Sequence, residues 1–286
     1  MTNHLLPDRR WQGDSLDLDA FLARVGYEGD RAPTLETLTA LQRGYVTTFP
    51  FENIEAVLRR PVPLDLDALQ TKLLRSPRGG YCFEHVTLFA AALERLGFGV
   101  IGMTGRVTLG SDKLRPATHA LLRVETADGR AWFCDVGFGG GPLAPLPFED
   151  GAEEVHDGWA FRLRLLTDAA GGLPGAQEWA LFEKDEDWVE RHTFGLAPSY
   201  GLDYHLANFF ISTHPRSVFV GRLFAQKFTV EAHHQLDELS YTVKRPGGGS
   251  DVRELTPAEV PVLLDETFGI TLSPEDTELL TEHLKA

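Results

Sequence analysis

The sequence holds only two cysteines, Cys82 and Cys134, in 286 residues. That scarcity excludes a disulfide framework and leaves room for a lone reactive thiol. No stretch reaches the 18 apolar residues of a membrane span. The opening MTNHLLPDRRWQGD has neither an apolar signal core nor a small-residue cleavage site, so a cytoplasmic protein is expected. Cations are scarce as well. The 27 Lys+Arg face 42 Asp+Glu, a formal net charge of −15, and no basic stripe stands out. Nucleic acids and anionic membranes are bound through such cations, so neither is an expected partner. The acidic charge is scattered rather than gathered in a tail and reads as a solubility feature. Internal repeats and low-complexity linkers are also missing.

The chain does have the material of a folded core: 43% hydrophobic and 24% charged residues, an ordinary globular balance. At about 100–200 residues per domain, its length suits two or three packed units. The first hundred residues read as helices. Asp17 caps AFLARVGY, with Gly26 as its stop. Pro33 and Thr34 open LETLTALQRGYV, and Asp65 caps LDALQTKLL. After RSPRGG a helix is expected from about Cys82 to Leu96, with Phe83, Val86, Ala90 and Leu93 on one apolar stripe. From about residue 99 the pattern turns to strands: VIGMTGRVTL, HALLRVET, AWFCDVGF, FRLRLLT and WALFEK. TDAAGGLPGAQ reads as a surface loop. This middle region suggests an antiparallel barrel or curved sheet. The last eighty residues mix strands (KFTVEAH, LSYTVKR) with a PGGGS turn. A capping box at Thr256-Pro257-Ala258-Glu259 opens a helix to about Thr267, and Ser273-Pro274 opens a final one.

Cys82 stands in Arg78-Gly79-Gly80-Tyr81-Cys82-Phe83-Glu84-His85, where two glycines lead into a helix start. Unpaired N–H groups and the helix dipole at such a position stabilise a thiolate. A nucleophilic cysteine needs a base, and the base needs an orienting group. His119 opens THALLRVET, and Asp135 lies in the next strand. Alternation of side chains decides whether they meet. A two-residue turn puts them on opposite faces. A three-residue loop, Ala127-Asp128-Gly129, makes paired residue numbers add to 256 and puts both on one face. Gly129 supplies the left-handed third position such a loop wants. The same alternation sends Cys134 to the opposite face with Trp132 and Val136, as packing.

These residues sit within segments that resemble the arylamine N-acetyltransferase family: Pro50-Phe51-Glu52-Asn53-Ile54, Arg78-Gly79-Gly80-Tyr81-Cys82, Thr118-His119-Ala120, Asp135-Val136-Gly137-Phe138-Gly139 and Ser212-Thr213-His214-Pro215. The resemblance implies an α+β fold of three parts. These are a helical bundle carrying the cysteine (1–98), a β-barrel carrying the histidine and acid (99–204), and an α/β lid (205–286). It implies a cysteine-protease-like triad of Cys82, His119 and Asp135. It implies ping-pong transfer of an acetyl group from acetyl-CoA, a co-substrate rather than a tightly bound cofactor, to an arylamine, arylhydrazine or N-hydroxyarylamine. Phe51, Phe138 and Phe209 or Phe210 match an aromatic acceptor pocket. Gly137, Gly139, Gly140 and Thr213 are the expected CoA contacts, and no metal is expected. Self-association is a habit of that family. One departure is Val86, where the family usually has Asn.

Three other readings compete. A macrolactam-forming amide synthase would share the fold and triad, and a cysteine hydrolase or transglutaminase-like enzyme would share the order Cys, His, Asp. A zinc module would use Cys82, His85, His119 and Cys134, although only Cys82 and His85 are spaced as a ligand pair. The remaining histidines (His4, His156, His192, His205, His233, His234 and His283) read as surface or capping residues.

Overall fold

The computed structural model describes residues 11–111, 113–166 and 177–285. His4 and all of the expected loop at 167–177 except Gln177 lie outside them. The first part of the chain forms α1 (Leu18–Arg24), α2 (Leu35–Thr48), β1 (Phe51–Glu52), α3 (Ile54–Val57), α4 (Leu66–Leu69) and α5 (Cys82–Arg95). The expected caps are in place. The side chains of Asp17, Thr34 and Asp65 accept hydrogen bonds from the backbones of Ala20, Thr37 and Ala68, satisfying N–H groups the first turns leave free. Gly26 and Gly97 take positive φ beyond the ends of α1 and α5. α4 runs on into a π-helical turn, Gln70–Leu74.

Eight strands follow: β2 (Gly99–Val107), β3 (His119–Glu125), β4 (Ala131–Cys134), β5 (Leu146–Pro147), β6 (Glu153–His156), β7 (Trp159–Leu166), β8 (Glu178–Lys184) and β9 (Trp188–Gly195). They form one antiparallel sheet in the order β5-β4-β3-β2-β9-β8-β7-β6. Its two edge strands are joined by residues 148–152 alone, so the sheet curls back on itself into a nearly closed barrel.

The remainder comprises α6 (Gly201–Thr213), α7 (Val218–Gly221), β10 (Phe224–Phe228), β11 (His233–Asp237), β12 (Ser240–Lys244), β13 (Ser250–Glu254), α8 (Val260–Leu263) and α9 (Pro274–His283). A second sheet runs β1-β10-β11-β12-β13, so residues 51–52 of the helical part lend a strand to the C-terminal part. The line drawn between residues 204 and 205 falls inside α6.

Several elements differ from expectation. KFTVEAH is two strands, because the chain turns at Thr229–Ala232, where the Thr229 N–H donates to the Ala232 carbonyl at 2.8 Å. Glu259 does accept from the Thr256 N–H at 2.7 Å, yet the helix begins only at Val260. β6, β9, β13 and α6 were not anticipated.

The main core joins the helices to the barrel, with Phe83, Phe89, Leu121, Phe133 and Leu181 among its members. A second core, including Ile54, Leu223, Leu264, Phe268 and Leu280, holds the C-terminal elements to α3. α5 is buried from Cys82 to Leu93 except at Thr87. Each such Phe or Leu contributes about 1.5–3 kcal/mol. The helix that carries Cys82 is therefore anchored by packing on all sides.

Candidate active site

The approach to Cys82 is fixed by close backbone contacts. A Cβ on Gly79 would lie 2.0 Å from the Pro50 carbonyl oxygen, and one on Gly80 would lie 2.8 Å from the Glu84 carboxylate. Only glycine fits either position. The Glu52 N–H donates to the Gly80 carbonyl at 2.8 Å, tying β1 to the segment that enters α5. Cys82 is then the first residue of α5, 4% exposed, with its Sγ 3.5 Å from the Thr118 carbonyl oxygen.

A buried ion network supports this helix start. The Glu84 carboxylate accepts from the Tyr81 N–H at 3.0 Å and from Lys72 Nζ at 2.7 Å. Arg78 donates to Glu52 Oε1 through Nη2 at 2.8 Å and to Glu55 Oε1 through Nη1 at 2.8 Å. Lys72 lies 3.8 Å from Glu52, closing the chain of charges. Burial, reinforced by nearby Glu52, pushes the Glu84 carboxyl up against the pull of Lys72. At Glu52 burial also pushes upward, but Lys72 and Arg78 win and hold its carboxyl down.

β3 and β4 bring the histidine and the acid together. Their pairs are Leu122 with Cys134, Arg123 with Phe133, Val124 with Trp132 and Glu125 with Ala131. This is the register of the three-residue loop. Gly129 closes it at φ 78°, its N–H donating to the Thr126 carbonyl at 2.9 Å. The strand ends at Cys134, and Asp135 starts the turn beyond it. His119 Nε2 lies 2.9 Å from Asp135 Oδ2, both residues being buried. Cys82 lies near enough to His119 to favour its protonated form, and Nδ1 is the ring nitrogen that Asp135 does not engage. Burial opposes a charged imidazole here, but Asp135 and Cys82 outweigh it and push the His119 pKa up to about 10. Burial likewise opposes the Asp135 carboxylate, yet His119 and His192 hold that group well below the usual carboxylate range. The arrangement is a thiol, an imidazole and an anionic carboxylate in series, the geometry of an activated nucleophile.

His192 is a correction to the sequence reading. It is fully buried, not a surface residue, and its Nε2 lies 2.9 Å from the same Oδ2 of Asp135. His233 is also buried, against Gly140. His85, one residue set in the zinc reading, contacts the Tyr45 hydroxyl (3.1 Å) and the Pro50 carbonyl (3.2 Å), and burial pulls its pKa down to about 4. Cys134 is buried in the main core, and burial pushes its thiol up. Among the described residues the grouping able to hold a metal is His119, Asp135 and His192, not the set weighed for zinc. Both of its N···O separations are hydrogen-bond distances to one oxygen.

The other expected site residues divide. Phe138 is half-buried, its ring edge-on to His119 at 5.1 Å with the Arg191 guanidinium 5.0 Å from it. Phe51 shares a cavity of ≈ 10 Å³ with His85, Asp135 and Gly139. Gly137, Gly139 and Gly140 turn the side where a Cβ would point toward Cys82, Phe51 and His233. The Gly137 N–H donates to Asp135 Oδ1 at 3.1 Å. These glycines thus serve close packing around the cluster. Phe210 stacks on His214 at 4.6 Å, Phe209 is exposed, and the Thr213 hydroxyl donates to the Phe209 carbonyl within α6. Val86 is fully buried in the main core.

A family model described as N-acetyltransferase matches residues 34–277. The chain belongs to the arylamine N-acetyltransferase family. It is 36% identical to the arylamine N-acetyltransferase of Mycobacterium tuberculosis over 91% of each chain. It is 33% identical to the arylamine N-acetyltransferase / N-hydroxyarylamine O-acetyltransferase of Salmonella typhimurium over 88% of each. Among solved structures, the Nocardia farcinica member superposes with a TM-score of 0.93 at 52% identity, covering 98% of this chain and 99% of that one. The Mycobacterium marinum member in complex with CoA superposes with a TM-score of 0.85 at 30% identity, covering 94% and 98%. The family's mixed α/β fold with its barrel is the fold described above. No helix among the described residues is long and apolar enough to cross a membrane.

Proposed function

We propose that this chain transfers an acetyl group from acetyl-CoA to an arylamine, arylhydrazine or N-hydroxyarylamine through an acetyl-Cys82 intermediate. The observation that carries this reading is the position of His119, its Nε2 2.9 Å from Asp135 Oδ2 and its neighbour Thr118 offering its carbonyl to Cys82 Sγ at 3.5 Å. The Cys82 thiolate attacks the thioester carbonyl, and the N–H groups at the start of α5 receive the developing oxyanion. The C–S bond to CoA breaks, and the His119 imidazolium protonates the leaving thiolate. The amine nitrogen then attacks the acetyl-Cys82 carbonyl. Neutral His119 takes its proton, and Cys82 leaves as thiolate beside the regenerated imidazolium. Asp135 keeps His119 in the tautomer with a proton on Nε2 and stabilises its charge.

In this reading segment 1–98 supplies the nucleophile, 99–204 supplies the histidine and the acid, and 205–286 covers the site. Phe138 and Phe51 line the aromatic acceptor. The neighbour solved with CoA supports the choice of donor, and the names of the relatives support the choice of acceptor. The overall charge of −15 repels CoA, so its grip comes from local backbone donors.

Intact mass after mixing with acetyl-CoA, without amine, tests the proposal. One added acetyl group is expected, absent in Cys82→Ser. Adding an aromatic amine should discharge it with formation of the amide. An unmodified, folded wild type overturns the reading. Loss of the acetyl group to water at the same rate with and without amine favours a hydrolase.

A further inference from the structure

We propose that His192 is a positioning residue: as a neutral ring donating its Nε2–H to Asp135, it sets how much of the acid's charge acts on His119. The proposal rests on the reading of Cys82, His119 and Asp135 as the catalytic machinery.

The route by which His192 reaches this place is itself informative. β9 starts with Lys184 opposite Trp188, Glu183 opposite Val189 and Phe182 opposite Glu190. Continued, that register would set His192 opposite Ala180, on the other face of the strand from Leu181. A β-bulge intervenes, and Leu181 pairs with His192 instead. Arg191 is the extra residue. A one-residue slip reverses every following side chain, so the bulge turns His192 and Phe194 into the barrel. Between β9 and β3 lies β2, whose Gly105 pairs with His119 on one side and Phe194 on the other. Glycine puts no side chain between His119 and Phe194, and the ring centroids of His119 and His192 lie 4.8 Å apart.

Asp135 Oδ2 therefore accepts two N–H groups, from His119 and His192, while Oδ1 accepts the Gly137 N–H. His192 must carry its proton on Nε2, because a carboxylate can only accept. Its Nδ1 is buried without a partner among the described atoms. A second proton there would be an unpaired buried cation. The charged groups facing the ring are Asp135, His119 on β3 and Arg191 on its own strand, the last lying 3.2 Å from Glu183 of β8. Burial, with His119 and Arg191 adding repulsion, pulls the His192 pKa down to about 4 despite Asp135. His192 thus stays neutral while His119 carries the charge. One carboxylate oxygen holds both, and each donor weakens its hold on the other.

Removing the His192 donor leaves the whole Oδ2 charge to His119. The imidazolium is then held more tightly, and the titration of His119, which gives a proton to the leaving CoA thiolate and takes one from the amine, moves to higher pH. The experiment follows the rate of Cys82 alkylation by iodoacetamide between pH 5 and 11, together with kcat for amine acetylation. In His192→Phe the upper inflection, where His119 deprotonates, is expected to rise by about one unit, and the pH dependence of kcat to rise with it. His192→Gln, whose amide can donate to Asp135, is expected to restore the wild-type profile. A folded His192→Phe with the wild-type profile overturns the proposal, since packing alone does not move a titration. Should that variant fail to fold, ¹⁵N shifts of the wild-type histidines decide. A neutral Nε2–H tautomer of His192 throughout pH 5–9 supports the proposal, and titration near 6.5 overturns it. Absence of any pH-dependent thiol reactivity in wild type refutes the triad reading itself, a distinct outcome.

Discussion

A Cβ on residue 137 would lie 2.8 Å from the Cα of Cys82 and 3.1 Å from its carbonyl oxygen. Gly137 is therefore pressed against the backbone that sets the nucleophile's position. Backbone at the start of a buried helix cannot swing aside as a flexible side chain would. Gly137→Ala should displace either Cys82 or the Asp135 turn by several tenths of an ångström. Misplacement of about 1 Å costs about 100-fold in rate. A loss of at least tenfold in CoA release is expected, with the melting temperature lowered by only a few degrees. Steady-state kinetics beside a thermal melt check this, and an unchanged rate would show that the contact is relieved without moving Cys82.

Asp135→Asn keeps the shape of the side chain and removes its charge. His119 then loses the partner that favours its protonated form against burial. The amide nitrogen must also face a histidine or Gly137 N–H, donor against donor. The acylation rate is expected to fall about 10³–10⁴-fold, as it does when the acid of a nucleophile–His–acid triad is neutralised. Stopped-flow CoA release measures it. The upper inflection of Cys82 alkylation should move down, opposite to the shift expected for His192→Phe. A fall of less than tenfold would remove Asp135 from the machinery.

The nucleophile's helix also depends on charges that no substrate touches. Lys72 neutralises Glu84 and Glu52, both buried. Removing one partner of a buried ion pair costs about 3–5 kcal/mol, because the charge left behind is uncompensated. Lys72→Met should destabilise the fold by about that amount at pH 7. Lys72→Met with Glu84→Gln should recover part of it, since the neutral amide can still accept from the Tyr81 N–H. Denaturant unfolding of both variants tests the coupling. Equal stability of the single and double variants would show that Glu84 already sheds its charge.

Much of this site was legible in the residues because its determinants are local. Asp17, Thr34 and Asp65 cap the helices they precede, and a cap acts within three residues. The β3–β4 register followed from Gly129 and the parity of His119 and Asp135, a turn that spans a few positions. Cys82 was marked by the glycines before it. His192 was not legible, because a bulge set by pairing with β8 decides its face. WVERHTFG shows no clean alternation to announce even a strand. The β1–β10 pairing joins residues 51–52 to 225–226, and a two-residue strand has no pattern of its own. Phe210 and Thr213 were singled out by a motif, yet α6 engages both in its own contacts. Motif position did not reveal side-chain direction.

The buried histidines predict how the protein responds to acid. His85 and His192 have pKa values pulled to about 4, chiefly by burial, and His233 lies well below the ordinary 6.5 for the same reason. In the unfolded chain each takes up a proton near pH 6.5, while in the folded protein it remains neutral. Stability must then fall as pH drops from 6.5 toward 4, because protons bind the unfolded state in preference. A depression of two and a half units corresponds to about 3 kcal/mol for each of His85 and His192. His119 has the opposite sign. Its raised pKa adds stability that is complete below 6.5 and lost as pH rises through about 10. Asp135, held low, adds stability that is complete above the ordinary carboxylate range and is lost only as pH falls below it. The expected curve of unfolding free energy against pH has its maximum near 6.5, where the two opposing sets of histidines meet. It falls on the acid side from 6.5 toward 4, and on the alkaline side from 6.5 toward 10. Urea titrations at half-unit steps from pH 4 to 10 measure it. His192→Gln should reduce the acid-side slope between 6.5 and 4 by one proton. An unchanged slope would mean that His192 is protonated in the fold and cannot be the neutral donor that Asp135 requires.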